Sequence, residues 1–245
     1  MKGKMVNYAW TEVKNFETLK NLDHQPQGPR HIPVPHHYAI EFFKERLAEH
    51  NIEVTAERAI MSPDTYKLIY LADVKPLDGK VSEDFTYSVG FLNNNDRSRA
   101  FTGIAGTHIY VNDAQMYVSE GAFKTRHTTN VHEYLNDRIG KVISWFKEYY
   151  AIQSGRIEKM KNTPCTDDML GAVILKYIRQ PYSLSSTNIK NIVKEFDKPK
   201  YEAFKERNLW SLQNTTMEVF KRVKSPLFRL EAMETFSEAI DPYLN

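Results

Sequence analysis

Six side chains in the middle of the chain are of the types that bind phosphate groups. They are Arg97, Arg99, Lys124, Arg126, His127 and Thr128. Arginine and lysine neutralise phosphate oxygens, and histidine and threonine add further hydrogen-bond donors. In an extended chain, residues two apart project from the same face, as would Arg97 with Arg99 and Lys124 with Arg126. We therefore predict that these six residues form a nucleic-acid-binding surface.

Aromatic residues near this segment are candidates for stacking on the bases of a single strand. Tyr87, Phe101 and Tyr110 lie in two neighbouring strand-like runs, and stacking on such rings tolerates any base. The alternative is that the rings belong to the core and that the arginines pair with Asp96 and Asp113. The sequence leaves both interpretations open.

The end of the same segment precedes a helix, whose N-terminus offers a second way to hold phosphate. Asn130 is a good N-cap, and the free N–H groups and dipole of a helix N-terminus attract anions. A phosphate site built from Arg126, His127, Thr128 and Thr129 follows from this arrangement. In the other interpretation Asn130 only caps the helix and the basic side chains are simply exposed.

Motifs for familiar enzyme chemistry are missing from the sequence. It contains no phosphate loop of the G-x-x-x-x-G-K-[ST] type, no dinucleotide-binding glycine motif and no serine-hydrolase elbow. His132-Glu133 begins like a zinc-protease helix, but Asn136 replaces the second histidine that the metal would need. We expect no catalytic residue, no metal site and no cofactor. An enzyme that acts on nucleotides is kept as one further hypothesis.

Composition limits the class of protein. The chain has 245 residues, a net charge of +2 and 41% hydrophobic residues, which is close to what a packed core requires. Cys165 is the single cysteine, so one chain cannot form an internal disulfide. No apolar run reaches the roughly 18 residues of a membrane span, and the N-terminus lacks the apolar core of a signal peptide. We expect a cytoplasmic protein with no membrane partner.

Charge is segregated along the chain although its sum is small. Residues 41–84 have a net charge of −4, whereas residues 121–161 have a net charge of +4. In one interpretation these are solvated helix faces. In the other, a basic surface faces phosphates while an acidic surface elsewhere serves self-association or the choice of partner.

The N-terminal segment differs from the rest of the chain. Residues 26–35 contain five prolines and glycines, and no apolar periodicity precedes them, so we predict an irregular arm over residues 1–35. Four histidines lie in or next to this arm: His24, His31, His36 and His37. Such histidines are more often packing or surface residues than metal ligands.

Apolar patterns predict the elements that follow. Residues 36–50 show one apolar stripe at helical spacing. Two hairpins should come next, one turning at Ser62-Pro63-Asp64 and one turning at residues 93–96. After residue 130 every pattern is helical.

The predicted fold is therefore α+β, with a small, mostly antiparallel sheet of four or five strands and a helical C-terminal half. We predict a single α+β domain over residues 36–245. Within it, residues 36–130 supply a helix plus the sheet and residues 131–245 are helical.

Four short motifs resemble a phage and plasmid protein family known as domain of unknown function 932. They are Val89-Gly90-Phe91-Leu92-Asn93-Asn94-Asn95-Asp96, Gly106-Thr107-His108-Ile109-Tyr110-Val111-Asn112-Asp113, Arg126-His127-Thr128 and Leu209-Trp210-Ser211-Leu212-Gln213-Asn214-Thr215-Thr216. The resemblance implies a bacteriophage or mobile-element origin, and it implies no established activity. Many relatives have a cysteine and an asparagine at the end of the second strand, where this chain has Val111-Asn112.

The order of helix, hairpin strands and long helix is also similar to the core of phage single-strand annealing proteins, in which a sheet and a helix line a basic groove in an oligomeric ring. This likeness is at the level of fold. Our leading hypothesis is a non-enzymatic protein that binds single-stranded DNA in recombination or replication and self-associates through its helical half. The alternative is an interaction protein that inhibits or sequesters a host factor.

Overall fold

The computed structural model describes residues 10–75, 85–109, 114–118, 124–127 and 131–244. It has an α+β fold, as the sequence predicts. The chain divides into two compact units, each made of several segments. We call them the N-terminal unit, Met1–Lys75 with Ser88–Ile104 and Glu120–Trp145, and the C-terminal unit, Pro76–Tyr87 with Ala105–Ser119 and Phe146–Asn245.

The strands of the described residues form one sheet. They are β1 (Thr11–Glu12), β2 (Val54–Met61), β3 (Lys67–Val74), β4 (Phe85–Asn94), β5 (Phe101–Ile109), β6 (Ala114–Val118) and β7 (Lys124–Thr125). Neighbours follow chain order from β1 to β6, and β7 pairs with β5. Five of these strands have five or more residues, which confirms the prediction of four or five. Every pairing whose register is described is antiparallel.

The first hairpin forms where the sequence predicts it. β2 pairs with β3 from Ala56 opposite Asp73 to Met61 opposite Leu68. Ser62 closes the turn, because its N–H donates to the carbonyl of Lys67 at 2.9 Å. Serine, proline and aspartate favour such turns, and the Ser62 hydroxyl also donates to Asp64 at 2.5 Å.

Six α-helices and three short 3₁₀ helices complete the described chain. The α-helices are α1 (His36–Glu49), α2 (Val131–Asn162), α3 (Asp167–Ile178), α4 (Ser186–Asp197), α5 (Leu209–Phe220) and α6 (Pro226–Ile240); the 3₁₀ helices are Phe16–Asn21, Glu202–Phe204 and Asp241–Tyr243. Side-chain caps fix several N-termini. Thr166 caps α3, Asn208 caps α5 and Ser225 caps α6, each by accepting a hydrogen bond from a backbone N–H. None of the described helices has the length and hydropathy to span a bilayer.

Aromatic rings form the core of the N-terminal unit. Phe43 of α1 contacts Tyr70 of β3 and Phe91 of β4, with ring centroids 6.1 and 5.4 Å apart. Phe91 in turn stacks on Phe101 of β5 at 4.8 Å. All four rings are fully buried. Burying each stabilises the fold by roughly 1.5–3 kcal/mol, so this cluster holds α1 against three strands.

The segment for which the sequence predicts an irregular arm contains two short regular elements among its described residues 10–35. β1 pairs with β2, and the 3₁₀ helix Phe16–Asn21 buries Leu19. Val34, just before α1, is also buried. The segment thus packs on the N-terminal unit through a few apolar contacts.

In the C-terminal unit α4 and α6 pack on α5, and α3 packs on α6. Eleven of the twelve residues of α5 are buried, including Ser211, Thr215 and Thr216. The hydroxyls of Thr215 and Thr216 donate to the carbonyls of Ser211 and Leu212 at 2.8 and 2.7 Å, so these two hydroxyls are satisfied within the helix.

Candidate anion-binding site

Three segments of the N-terminal unit enclose a cavity of about 570 Å³. They are residues 28–31, residues 97–100 and residues 126–127. Four of these ten lining residues are arginines, two are histidines and none is acidic. Pockets of this volume typically hold small molecules or single groups of larger ones. The lining is therefore suited to an anion.

A tight turn shapes the first segment. The N–H of Gln27 donates to Nδ1 of His31 at 3.0 Å, and the N–H of His31 donates to the carbonyl of Gly28 at 3.1 Å. Gly28 has a φ of +151°, which residues with a side chain rarely adopt. Glycine therefore allows the turn that presents Arg30 and His31 to the cavity.

The second segment is the turn between β4 and β5. Asp96 accepts hydrogen bonds from the N–H and hydroxyl of Ser98, at 3.0 and 2.6 Å, and forms an ion pair with Lys67 at 2.9 Å. Burial raises the pKa of Asp96, but the bonds from Ser98 and the charge of Lys67 outweigh it and lower the pKa. The carboxylate is thus ionised and occupied by these two partners.

Arg97 adopts a left-handed backbone conformation in this turn, with a φ of +66°. The sequence-based expectation that Arg97 and Arg99 project from one face of an extended strand is therefore wrong in its geometry. The turn begins at Asn95, because Asn93 and Asn94 still belong to β4. Both arginines nevertheless line the same cavity.

The guanidinium of Arg97 is anchored on the first segment. Its Nη1 donates to the carbonyl of Gln27 at 2.8 Å. A Cβ atom built on Gly28 would lie 2.9 Å from the same Nη1. Glycine at this position thus permits the close approach of the arginine as well as the local turn.

Two histidines lie side by side in the lining. The rings of His31 and His127 are stacked, with centroids 5.6 Å apart and planes inclined by 22°. Each residue is only 6% exposed. The N–H of Ile32 donates to the carbonyl of His127 at 3.3 Å, which ties the first segment to the third.

Hydrogen bonding determines the tautomer of His31. Because its Nδ1 accepts from Gln27, the proton of the neutral ring must lie on Nε2. That Nε2 is buried and has no hydrogen-bond partner within the described parts of the chain. Burial lowers the pKa of His31, and the nearby charge of Arg97 lowers it further, against a smaller opposite effect of Asp96. His31 therefore presents an unsatisfied donor.

Asparagine side chains hold the N-terminal segment beside the β4–β5 turn. Nδ2 of Asn93 donates to the carbonyl of Val34 at 2.8 Å. Asn95 accepts from the N–H of Val34 and donates to its carbonyl, both at 2.9 Å. Asn93 and Asn95 are fully buried, so these bonds form where water cannot compete. The asparagine-rich segment is therefore structural.

A second pair of histidines meets at one carbonyl. Nε2 of His24 and Nε2 of His36 lie 2.7 and 2.9 Å from the carbonyl oxygen of Thr65, so both rings donate to it. Nδ1 of His36 accepts from Asn93 at 2.9 Å. Burial lowers the pKa of His36 to about 3, outweighing the opposite effect of the Thr65 carbonyl. Both histidines are thus packed into the N-terminal unit as hydrogen-bonding groups, and His36 is neutral there.

The structure brings together most of the predicted site. Arg97, Arg99, Arg126 and His127 all line the one cavity. The backbone of Lys124 lies in β7, opposite Thr102, while the side chain of Lys124 and all of Thr128 fall outside the described part of the chain. The proposed helix cap Asn130 also falls outside it, and α2 begins at Val131.

Two lining residues were missed by sequence reasoning, namely Arg30 and His31. The only local signal is the Gly28-Pro29 turn directly before them. Nothing local places that turn beside residues 97–100, because the contacts that do so join residues about seventy positions apart.

Two of the three rings considered for base stacking belong to the core, as the alternative interpretation of the sequence holds. Tyr87 is 4% exposed and Phe101 is fully buried, so neither can stack on a base. Tyr87 packs against Tyr150 at 4.1 Å in the C-terminal unit, and Phe101 stacks on Phe91. Alternate strand residues face the core, and large rings stabilise it most when they do. Tyr110 lies outside the described residues.

Comparisons with protein-family models, with curated proteins and with solved structures find no match to this chain. The resemblance to domain of unknown function 932 therefore stays an expectation from the sequence. The function has to be inferred from the cavity itself.

Proposed function

We propose that this protein binds the phosphate groups of single-stranded DNA. The principal contact is the cavity lined by four arginines, namely Arg30, Arg97, Arg99 and Arg126. The observation that supports it most is the convergence of these four arginines, from three separate segments, with no acidic residue among the described lining residues. Such a cluster creates a positive potential that attracts and orients phosphate.

Two of these arginines have no competing partner among the residues that the structure describes. Arg30 and Arg126 are exposed and form no ion pair or side-chain hydrogen bond with any other described residue. Their guanidinium groups can therefore bind a ligand without breaking a contact to any described residue. Asp96, the acidic residue directly before Arg97, already forms an ion pair with Lys67 and accepts a hydrogen bond from Ser98.

The shape of the cavity favours a single strand over a duplex. A duplex is read by an element that enters a groove or by an extended surface along the backbone. A concave cavity of about 570 Å³ instead accepts one phosphate-bearing group at a time. A flexible single strand can bend to place an internal phosphate in the cavity, whereas a rigid duplex can offer only the phosphates at its ends.

Titration of a labelled oligonucleotide at several salt concentrations tests this proposal. Single-strand binding by phosphate contacts predicts that log K falls linearly with log salt, with a slope of about −0.7 for each phosphate neutralised. Absence of binding at about 50 mM salt, or an affinity independent of salt, would contradict it.

A second candidate role, contact with another protein, is favoured by one feature of the C-terminal unit. Leu175 and Ile178, on α3, and Tyr182, just after it, are exposed large hydrophobic residues. Scattered exposed apolar residues are common, but three within eight positions form a concentrated apolar stretch. We propose that this stretch contributes to self-association, and a host protein as partner is the alternative.

A further inference from the structure

We infer that the arginine cavity binds a terminal phosphate monoester, the group at the end of a cleaved strand or on a free nucleotide, in preference to an internal phosphodiester. This inference rests on the proposed function, because it specifies which phosphate of the ligand the cavity takes. A protein with this preference recognises the phosphorylated ends of DNA strands.

The charge of the lining supports a dianion. An internal phosphodiester carries one negative charge and two unesterified oxygens, whereas a monoester carries about −1.5 to −2 and three such oxygens at neutral pH. Each guanidinium is a fixed cation with up to five donors. Arg30 and Arg126 form no ion pair with any described residue, so these two cations of the lining match the two charges of a monoester, whereas a diester supplies only one.

The buried donor of His31 supports an acceptor inside the cavity. His31 lines the cavity and is only 6% exposed. Its Nε2–H has no acceptor within the described parts of the chain. Leaving such a donor unsatisfied costs stability, and an additional phosphate oxygen would satisfy it. The third free oxygen of a monoester provides one more acceptor than a diester does.

Exposure changes across the lining in a way that fits an end group. Arg30, Arg97 and Arg126 are exposed, whereas His31 and His127 are buried. The cavity thus has cationic side chains at the solvent and a covered histidine floor. A strand end can enter such a cavity with its terminal phosphate first, while an internal phosphate would have to carry chain on both sides.

The test compares three probes at one salt concentration and pH 8. They are a single strand of about twelve nucleotides with a 5′-phosphate, the same strand with a 5′-hydroxyl, and a deoxynucleoside monophosphate as competitor. The phosphorylated strand should bind about tenfold more tightly than the hydroxyl strand. Competition by the monophosphate at a similar concentration would also support the inference and would identify the isolated end group as sufficient.

The outcomes separate this inference from the proposed function. Equal affinity for the hydroxyl strand and for strands phosphorylated at either end would overturn end recognition and leave single-strand binding intact. Absence of binding to either strand would overturn both. A strand carrying a 3′-phosphate shows which end the cavity prefers, and loss of the preference in every phosphorylated form contradicts the inference.

Variants locate the preference in the cavity. Arg126→Ala should remove most of the tenfold difference, while Arg179→Ala, an exposed arginine at the end of α3 that does not line the cavity, should keep it. His31→Leu should also lose the difference, and His31→Gln, which retains a donor, should keep a larger part of it. If both Arg126→Ala and His31→Leu fold normally and still discriminate the two strands, the site is elsewhere.

Discussion

The guanidinium of Arg97 donates a 2.8 Å hydrogen bond to the main-chain carbonyl of Gln27, seventy residues earlier in the chain. The bond joins the turn between β4 and β5 to the proline-rich segment before α1. These two segments supply three of the four lining arginines. The candidate site is thus a product of tertiary structure and not of a local motif.

Gly28→Ala tests this junction. Alanine at this position would have to adopt the native φ of +151°. Its Cβ would also lie 2.9 Å from Nη1 of Arg97. Because a strained backbone costs about 1–3 kcal/mol, urea unfolding should show a loss of that size, and oligonucleotide affinity should fall as the arginine moves. The matched control is Gly140→Ala, where a Cβ meets nothing within 4 Å inside α2. Alanine there should stabilise by about 0.5–1 kcal/mol, and equal effects at both glycines would contradict the account.

Asn95→Asp tests the buried amide that fixes Val34. The substitution replaces the donor to the Val34 carbonyl by a carboxylate oxygen, without any change of shape. A buried group that loses its partner and gains charge should cost about 3 kcal/mol in free energy of unfolding. Asn136→Asp, at an exposed position in α2, should stay within about 0.5 kcal/mol. A small effect at Asn95 in denaturant titrations would show that the amide is not needed.

Acid should destabilise the N-terminal unit through His36. Its pKa is about 3 in the folded protein and about 6.5 in an unfolded chain, so the unfolded state binds more protons between these values. Stability is therefore complete above pH 6.5 and falls as the pH drops. At pH 5 the loss should be about 2 kcal/mol relative to pH 7.5.

Urea unfolding at the two pH values measures this loss, and His36→Gln should remove most of it. His37→Gln, at the next position in α1, serves as the control and should leave the loss in place. If His36→Gln keeps the full pH dependence, another group is responsible.

Self-association is tested by placing charge on the apolar stretch of α3. Leu175→Asp combined with Ile178→Asp should lower the mass measured by native mass spectrometry or sedimentation, because charged groups there oppose burial against a second copy. Gln180→Asp, at a nearby exposed polar position, is the control. A wild-type protein that is monomeric at every concentration, or an oligomer that the double variant leaves unchanged, contradicts the proposal.

Local patterns predict the elements well. The apolar stripe of His36–Glu49 and the serine–proline–aspartate turn after Met61 each depend on interactions within a few residues, and both form as expected. The same holds for the start of α3, where the side chain of Thr166 accepts a hydrogen bond from the N–H of Met169, three residues on.

Long-range contacts account for what the sequence did not show. Asn93 was assigned to a turn because asparagine tolerates turn geometry, but its bond to Val34, 59 positions away, keeps it in β4. Arg30 lies at the site because a contact between distant residues, the hydrogen bond from Arg97 to Gln27, holds its segment there. Four predicted residues nevertheless meet in one cavity, because the pairing of β7 with β5 brings residues 124–127 beside the β4–β5 turn; they are Arg97, Arg99, Arg126 and His127.

The affinity of a labelled single strand for the double variant Arg97→Ala, Arg126→Ala tests the central claim most directly. Charge-assisted hydrogen bonds to phosphate are worth about 1.5–3 kcal/mol, so each lost arginine should weaken binding about tenfold or more, and the salt slope should become shallower. Arg179→Ala should change the affinity by less than about twofold. An unchanged affinity of the double variant, or an equal loss in Arg179→Ala, would show that the arginine cavity is not where the strand binds.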